Sequence, residues 1–158
     1  MVAVIPAYEP NQMLIQLVQQ LKKLKFSVIL IDDGSSIEKQ STFDRLQKKA
    51  VVLHHSKNYG KGRALKTAFS YIREQMPGED GIVTVDADGQ HSIADICKMR
   101  KQFHQNPNRL LLGVRKFSGK IPWKSKWGNA ITKVVFALSS GKLLSDTQTG
   151  LRAFPSAW

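Results

Sequence analysis

One cysteine, Cys97, is all the thiol this chain has, which excludes an internal disulfide and any CxxC metal or redox site. In its helical context that thiol reads as packing. Long apolar runs are missing as well. The longest, at residues 28–31 and 134–138, fall far short of the ~20 residues that cross a bilayer, so no membrane span is expected. The N-terminus has no basic region, apolar stretch and small-residue site of a secretory signal, and it enters an apolar strand pattern at once. The expected location is therefore cytoplasmic. Fixed-period repeats, low-complexity segments and Pro/Gly/Ser linkers are also absent, which leaves a single domain over residues 1–158. No G-x-S-x-G gives a hydrolase triad a foothold. The four histidines lack zinc-like spacing, and His54, His55 and His104 read as structural or exposed.

Acid is the other scarcity. Twelve Asp and Glu face 24 Lys and Arg, for a net charge of +12, and no acidic residue lies between Asp95 and Asp146. That stretch carries Arg109, Arg115, Lys116, Lys120, Lys124, Lys126, Lys133 and Lys142 among others. Such a block attracts nucleic acid, anionic lipid or phosphorylated small molecules. Nucleic acid is not expected, because no helix-turn-helix, zinc finger or aromatic-studded platform accompanies the charge. Trp127, Ile131, Val134, Val135 and Leu138 share one helical face in this block, beside Lys124, Lys126 and Lys133. An interfacial helix on anionic lipid and a core helix with a solvated back both fit that pattern.

What is present is an alternation. Residues 2–5, 27–31, 51–54, 81–85 and 110–114 are short β-branched or aliphatic runs that read as strands buried on both faces. Between them stand helical spacings: Leu14, Leu17, Val18, Leu21; then Ala64, Leu65, Ala68, Phe69, Ile72; then Ile93, Ile96, Met99, Phe103. The expected class is α/β, a Rossmann-like, mostly parallel sheet flanked by helices. Ligands of such sheets bind beyond the carboxyl ends of the strands.

Four consecutive strand ends carry polar or glycine-containing loops: Pro6-Ala7-Tyr8-Glu9, Asp32-Asp33-Gly34-Ser35, Lys57-Asn58-Tyr59-Gly60-Lys61-Gly62 and Asp86-Ala87-Asp88-Gly89-Gln90-His91. Asp86 and Asp88 stand two residues apart, and a hard divalent cation, Mg²⁺ or Mn²⁺, would relieve their repulsion, with Gln90 placed to add an oxygen. Plain turn chemistry also explains Asp86-Ala87-Asp88 and Asp32-Asp33-Gly34-Ser35, and Ser92 suits a helix cap. Gly60-Lys61-Gly62 fits neither common phosphate-loop pattern, yet glycines and a lysine opening a helix can meet an anion.

Taken in chain order, these loops with Gly113-Val114-Arg115 and Asp146-Thr147-Gln148-Thr149-Gly150-Leu151-Arg152 resemble family 2 glycosyltransferases of the GT-A fold. The resemblance is strongest to the branch of dolichol- and polyprenyl-phosphate sugar synthases. It implies that Pro6, Ala7, Tyr8, Glu9 and Asp33 meet the nucleoside with Asp32 close by. It implies that Lys61, Asp86 and Ala87 complete the nucleotide site and that Asp86, Asp88 and Gln90 hold Mg²⁺ or Mn²⁺. Asp88, Arg115, Asp146 and Arg152 would be the catalytic set, the arginines meeting phosphate charge. The chain stops soon after Arg152, where family members continue, so a C-terminally truncated domain is expected.

The activity so implied is inverting transfer of a sugar from a nucleotide-diphosphate sugar donor. A polyprenyl phosphate acceptor needs no general base, whereas a saccharide hydroxyl would draw on Asp146. The basic block favours the lipid phosphate and a peripheral contact at the inner face of the membrane. A non-catalytic nucleotide-binding module is the alternative from another class.

Overall fold

The computed structural model describes residues 1–113 and 150–157. Its elements are β1 (Val2–Ala7), α1 (Met13–Lys23), β2 (Ser27–Asp32), α2 (Ile37–Gln47), β3 (Val51–His54), α3 (Lys61–Gln75), β4 (Gly81–Thr84), α4 (Ile93–Gln105), β5 (Leu111–Leu112) and β6 (Arg152–Pro155), of which α2 and β6 are not among the elements the hydrophobic pattern predicts. The six strands form one sheet in the order β3-β2-β1-β4-β6-β5. β1, β2, β3 and β4 run parallel, while β6 lies antiparallel to both β4 and β5. The expected mostly parallel sheet is present.

Strand alternation splits the apolar residues between two faces. Val2, Val4, Ile29, Ile31 and Ile82 point to the face covered by α3, where Ala64, Ala68 and Ile72 meet them. Ala3, Ile5, Val28, Leu30 and Val83 point to the other, beneath α1, α2 and α4. There Leu14, Leu17, Val18 and Leu21 form the stripe expected for α1, and Ile96, Met99 and Phe103 that expected for α4. Each such side chain, fully buried, contributes on the order of 1.5–3 kcal/mol. Truncating buried Phe103 to alanine would cost about 3–5 kcal/mol.

Two expectations need correction. β3 is not buried on both faces: Val51, Val52 and Leu53 are half-buried and His54 is exposed, because β3 is the sheet edge. The strand expected at 110–114 shrinks to two paired residues within the described part, since its partner β6 offers only a short antiparallel ladder. The basic helix read around Trp127 lies outside the described residues.

Candidate nucleotide site

The carboxyl ends of β1 and β4 are neighbours, and between them opens a cavity of about 380 Å³. Pro6, Tyr8, Glu9, Pro10, Asn11, Lys61, Asp86, Ala87 and Asp88 line it. The first, third and fourth polar loops therefore converge on one place, as the strand-end rule requires. Tyr8 is exposed at this wall and offers its ring for stacking. Glu9 has a left-handed backbone (φ 48°) and is tied to the next loop. Its carboxylate accepts from the Ser36 N–H at 2.6 Å and the Ser36 hydroxyl at 3.1 Å, and so sits at the N-terminus of α2.

Asp86 is the electrostatic centre of the cavity. The Lys61 ammonium, from the first residue of α3, donates to its Oδ1. Buried His91 places Nε2 3.4 Å from its Oδ2, long for a hydrogen bond but near enough to favour the ionised carboxylate. His91 first and then Lys61 outweigh the effect of burial and hold the Asp86 carboxyl well below the usual carboxylate range. Asp88 is exposed, and its Oδ1 accepts from the Gln90 N–H at 3.0 Å. Gln90 is also exposed and does not line the cavity. Ser92 caps α4 as expected, accepting from the Asp95 N–H.

A second layer lies behind the cavity. Asp32 and Asp33 are buried, and neither lines the cavity. Asp32 accepts from the Ser35 N–H at 2.9 Å, Gln40 Nε2 at 3.1 Å and His54 Nδ1 at 2.9 Å. Asp33 accepts from His55 Nδ1 at 2.7 Å, the Tyr59 N–H at 3.0 Å and the Gly60 N–H at 2.8 Å. Burial would raise both carboxyls, but these hydrogen bonds hold them below their ordinary value. Arg152 opens β6 opposite Thr84, at the site end of β4, with its side chain exposed and outside the cavity lining. Arg115 and Asp146 lie outside the described residues.

Gly150 also presses on the site. Its carbonyl accepts from the Thr84 hydroxyl at 2.7 Å, and its Cα faces the Asp86 carboxylate so closely that a Cβ there would lie 1.9 Å from Oδ2. Nothing local in the sequence signals this contact, since it spans two strands far apart in the chain. Among the described residues no group of three His, Cys, Asp or Glu side chains is placed to hold a metal. No helix among them is long and apolar enough to cross a membrane.

Residues 2–155 match the family described as glycosyl transferase family 2. The chain belongs to that family. Among curated relatives it is 29% identical to the UDP-N-acetylglucosamine–dolichyl-phosphate N-acetylglucosaminyltransferase of Methanococcus voltae, over 96% of this chain and 67% of that protein. It is 25% identical to the undecaprenyl-phosphate 4-deoxy-4-formamido-L-arabinose transferase of Enterobacter sp. (strain 638), over 96% of this chain and 47% of that one. Among solved structures it superposes with a TM-score of 0.72 and 16% identity on the glucosyl-3-phosphoglycerate synthase of Mycobacterium tuberculosis in complex with Mn²⁺, UDP and glucosyl-3-phosphoglycerate. That superposition covers 99% of this chain and 56% of that one. The expected GT-A fold and the resemblance to polyprenyl-phosphate sugar transferases both hold. The family 2 chain thus spans between about half and two thirds of the length of these three proteins.

Proposed function

We propose that this family 2 chain is the donor-binding part of an inverting glycosyltransferase that uses a nucleotide-diphosphate sugar. The observation that carries the reading is the convergence of Tyr8, Lys61, Asp86 and Asp88 on one cavity of nucleotide-compatible size at the strand ends. Tyr8 stacks the base, and Lys61, at the opening of α3, meets phosphate charge.

The donor set also fits a divalent cation. The Asp86 and Asp88 carboxylates that line the cavity suit Mg²⁺ or Mn²⁺, which are commonly held by one or two carboxylates plus substrate phosphates. Asp86 and Asp88 would hold it, with Gln90 a further oxygen. Bound there, the cation supplies counter-charge to the departing diphosphate. His91 and Lys61 hold the Asp86 carboxyl below the usual carboxylate range, which favours the ionised form that a cation needs. Asp88→Asn keeps the shape and removes the charge. Calorimetry with UDP- and GDP-sugars and Mn²⁺ should show metal-dependent binding lost with the fold intact, and unchanged affinity would sink the assignment.

For the acceptor, the relatives named for dolichyl and undecaprenyl phosphate support a polyprenyl phosphate, as does the acid-free basic stretch between Asp95 and Asp146. That stretch would contact anionic lipid at the inner membrane face. A lipid phosphate attacks through its own anionic oxygen, so Asp146→Asn lowers turnover only modestly. A saccharide acceptor instead predicts a loss on the order of 10² to 10⁴ with donor affinity preserved.

A further inference from the structure

The loop that delivers Lys61 is moulded by groups that do not line the cavity. Asp33 binds two successive backbone N–H groups of that loop, those of Tyr59 and Gly60. Gly34 lies against it so closely that a Cβ at this position would stand 2.1 Å from the Lys57 carbonyl carbon. The next residue is Lys61, the first of α3, whose ammonium reaches Asp86 across the cavity. What fixes Asp33 is His55. Its ring is nearly buried and uses both nitrogens, Nδ1 on Asp33 Oδ1 at 2.7 Å and Nε2 on the Thr67 hydroxyl at 2.9 Å. Thr67 lies in α3 itself, so the imidazole spans from the end of β2 to the helix that Lys61 begins. A ring held at both nitrogens has one orientation, and so has the carboxylate it donates to. The tyrosine ring of the same loop packs edge-on against the imidazole, with centroids 5.4 Å apart.

We infer that His55 is a positioning residue for the donor site: through Asp33 and Thr67 it latches residues 57–60 to α3, and thereby sets where Lys61 meets the diphosphate. The inference rests on the donor-site reading above, but makes Asp33 a structural acceptor for the loop before any nucleotide arrives. The latch is a built-in feature of the protein alone. It should therefore be visible without ligand.

The test uses the purified chain and two readouts. Amide exchange without nucleotide should show the Tyr59 and Gly60 N–H groups protected in the unaltered chain, strongly deprotected in His55→Leu, and largely protected in His55→Asn, which keeps a donor toward Asp33. Thr67→Val, which breaks only the far end, keeps the test alive should His55→Leu fail to fold, and should deprotect the same amides in part. UDP binding with Mn²⁺ should weaken about tenfold in His55→Leu. In a Lys61→Met background the same change should cost almost nothing, since His55 acts through Lys61. Unchanged exchange of Tyr59 and Gly60 in both His55→Leu and Thr67→Val, or costs that simply add with Lys61→Met, would overturn the latch. Failure of the unaltered chain to bind any nucleotide with Mn²⁺ would instead overturn the donor-site reading on which the inference depends.

Discussion

Gly150→Ala is the sharpest perturbation the structure offers, because the added atom meets Asp86 and little else needs to change. The obstacle is space. An ideal Cβ would stand 1.9 Å from Asp86 Oδ2, 2.3 Å from Cγ and 2.4 Å from Oδ1, where ordinary contact begins at 3.4 Å. One partner must therefore move by roughly 1.5 Å. If the carboxylate turns away it leaves Lys61 and His91, and losing a hydrogen bond to a charged group costs about 1.5–3 kcal/mol. If the backbone moves instead, the buried Thr84 hydroxyl loses the Gly150 carbonyl, at about 1–3 kcal/mol. Either route gives a stability loss of about 1–3 kcal/mol, against the 0.4–1 kcal/mol gain that Gly→Ala brings where it fits. The first route also displaces the proposed metal ligand, so nucleotide binding with Mn²⁺ should fall at least about tenfold when the carboxylate turns. Urea unfolding and calorimetry read the two effects. In an Asp86→Ala background most of the stability cost should vanish, because the clashing atoms are gone. Unchanged midpoint and unchanged affinity in Gly150→Ala would refute the reasoning.

Lys61→Met should weaken UDP binding with Mn²⁺ about tenfold yet leave Mn²⁺ alone bound as well or better, because ammonium and divalent cation share one carboxylate; calorimetry showing both affinities falling together would contradict this. Asp32 and Asp33 have carboxyls depressed below their ordinary 3.8, so the stability they contribute is present above that pH and is lost as pH falls through their lower folded values. Urea midpoints from about pH 6 to about pH 2.5 should decline on the acid side, and less steeply in Asp33→Asn.

How much of this was legible depended on whether the interaction was local. The α1 stripe of Leu14, Leu17, Val18 and Leu21 is a property of one segment, and a 3.6-residue period exposes it without any partner. α2 left no comparable stripe, since only Phe43 and Leu46 turn inward from Ile37–Gln47, and its other residues suit a solvated turn equally well. β6 is four residues long, begins with an arginine and ends with a proline, and becomes a strand only because β4 and β5 lie beside it. In the site, Asp86, Asp88, Lys61 and Tyr8 declared themselves by residue type and strand-end position. The histidines did not. His54 and His55 carry no motif, and their role appears only when the parallel register sets His54 opposite Asp32. His91 carries no local signal of a role, and its burial against Asp86 is equally a tertiary fact.

That register changes what the acidic strand ends mean. Five carboxylates gather at the ends of β1, β2 and β4: Glu9, Asp32, Asp33, Asp86 and Asp88. Read by type alone they make an acidic pocket, a poor host for a diphosphate. In the fold, Glu9 is spent on Ser36, Asp32 on Ser35, Gln40 and His54, and Asp33 on His55 and two backbone N–H groups. Asp86 faces Lys61 and His91, and Asp88 is an exposed residue of the cavity lining. The aspartates behind the cavity thus hold the loops around it, while Asp86 and Asp88 are the aspartate pair that lines it. An anionic donor can enter such a cavity when a divalent cation meets that pair, and this is the physical reason to expect nucleotide and metal to bind together more tightly than either alone.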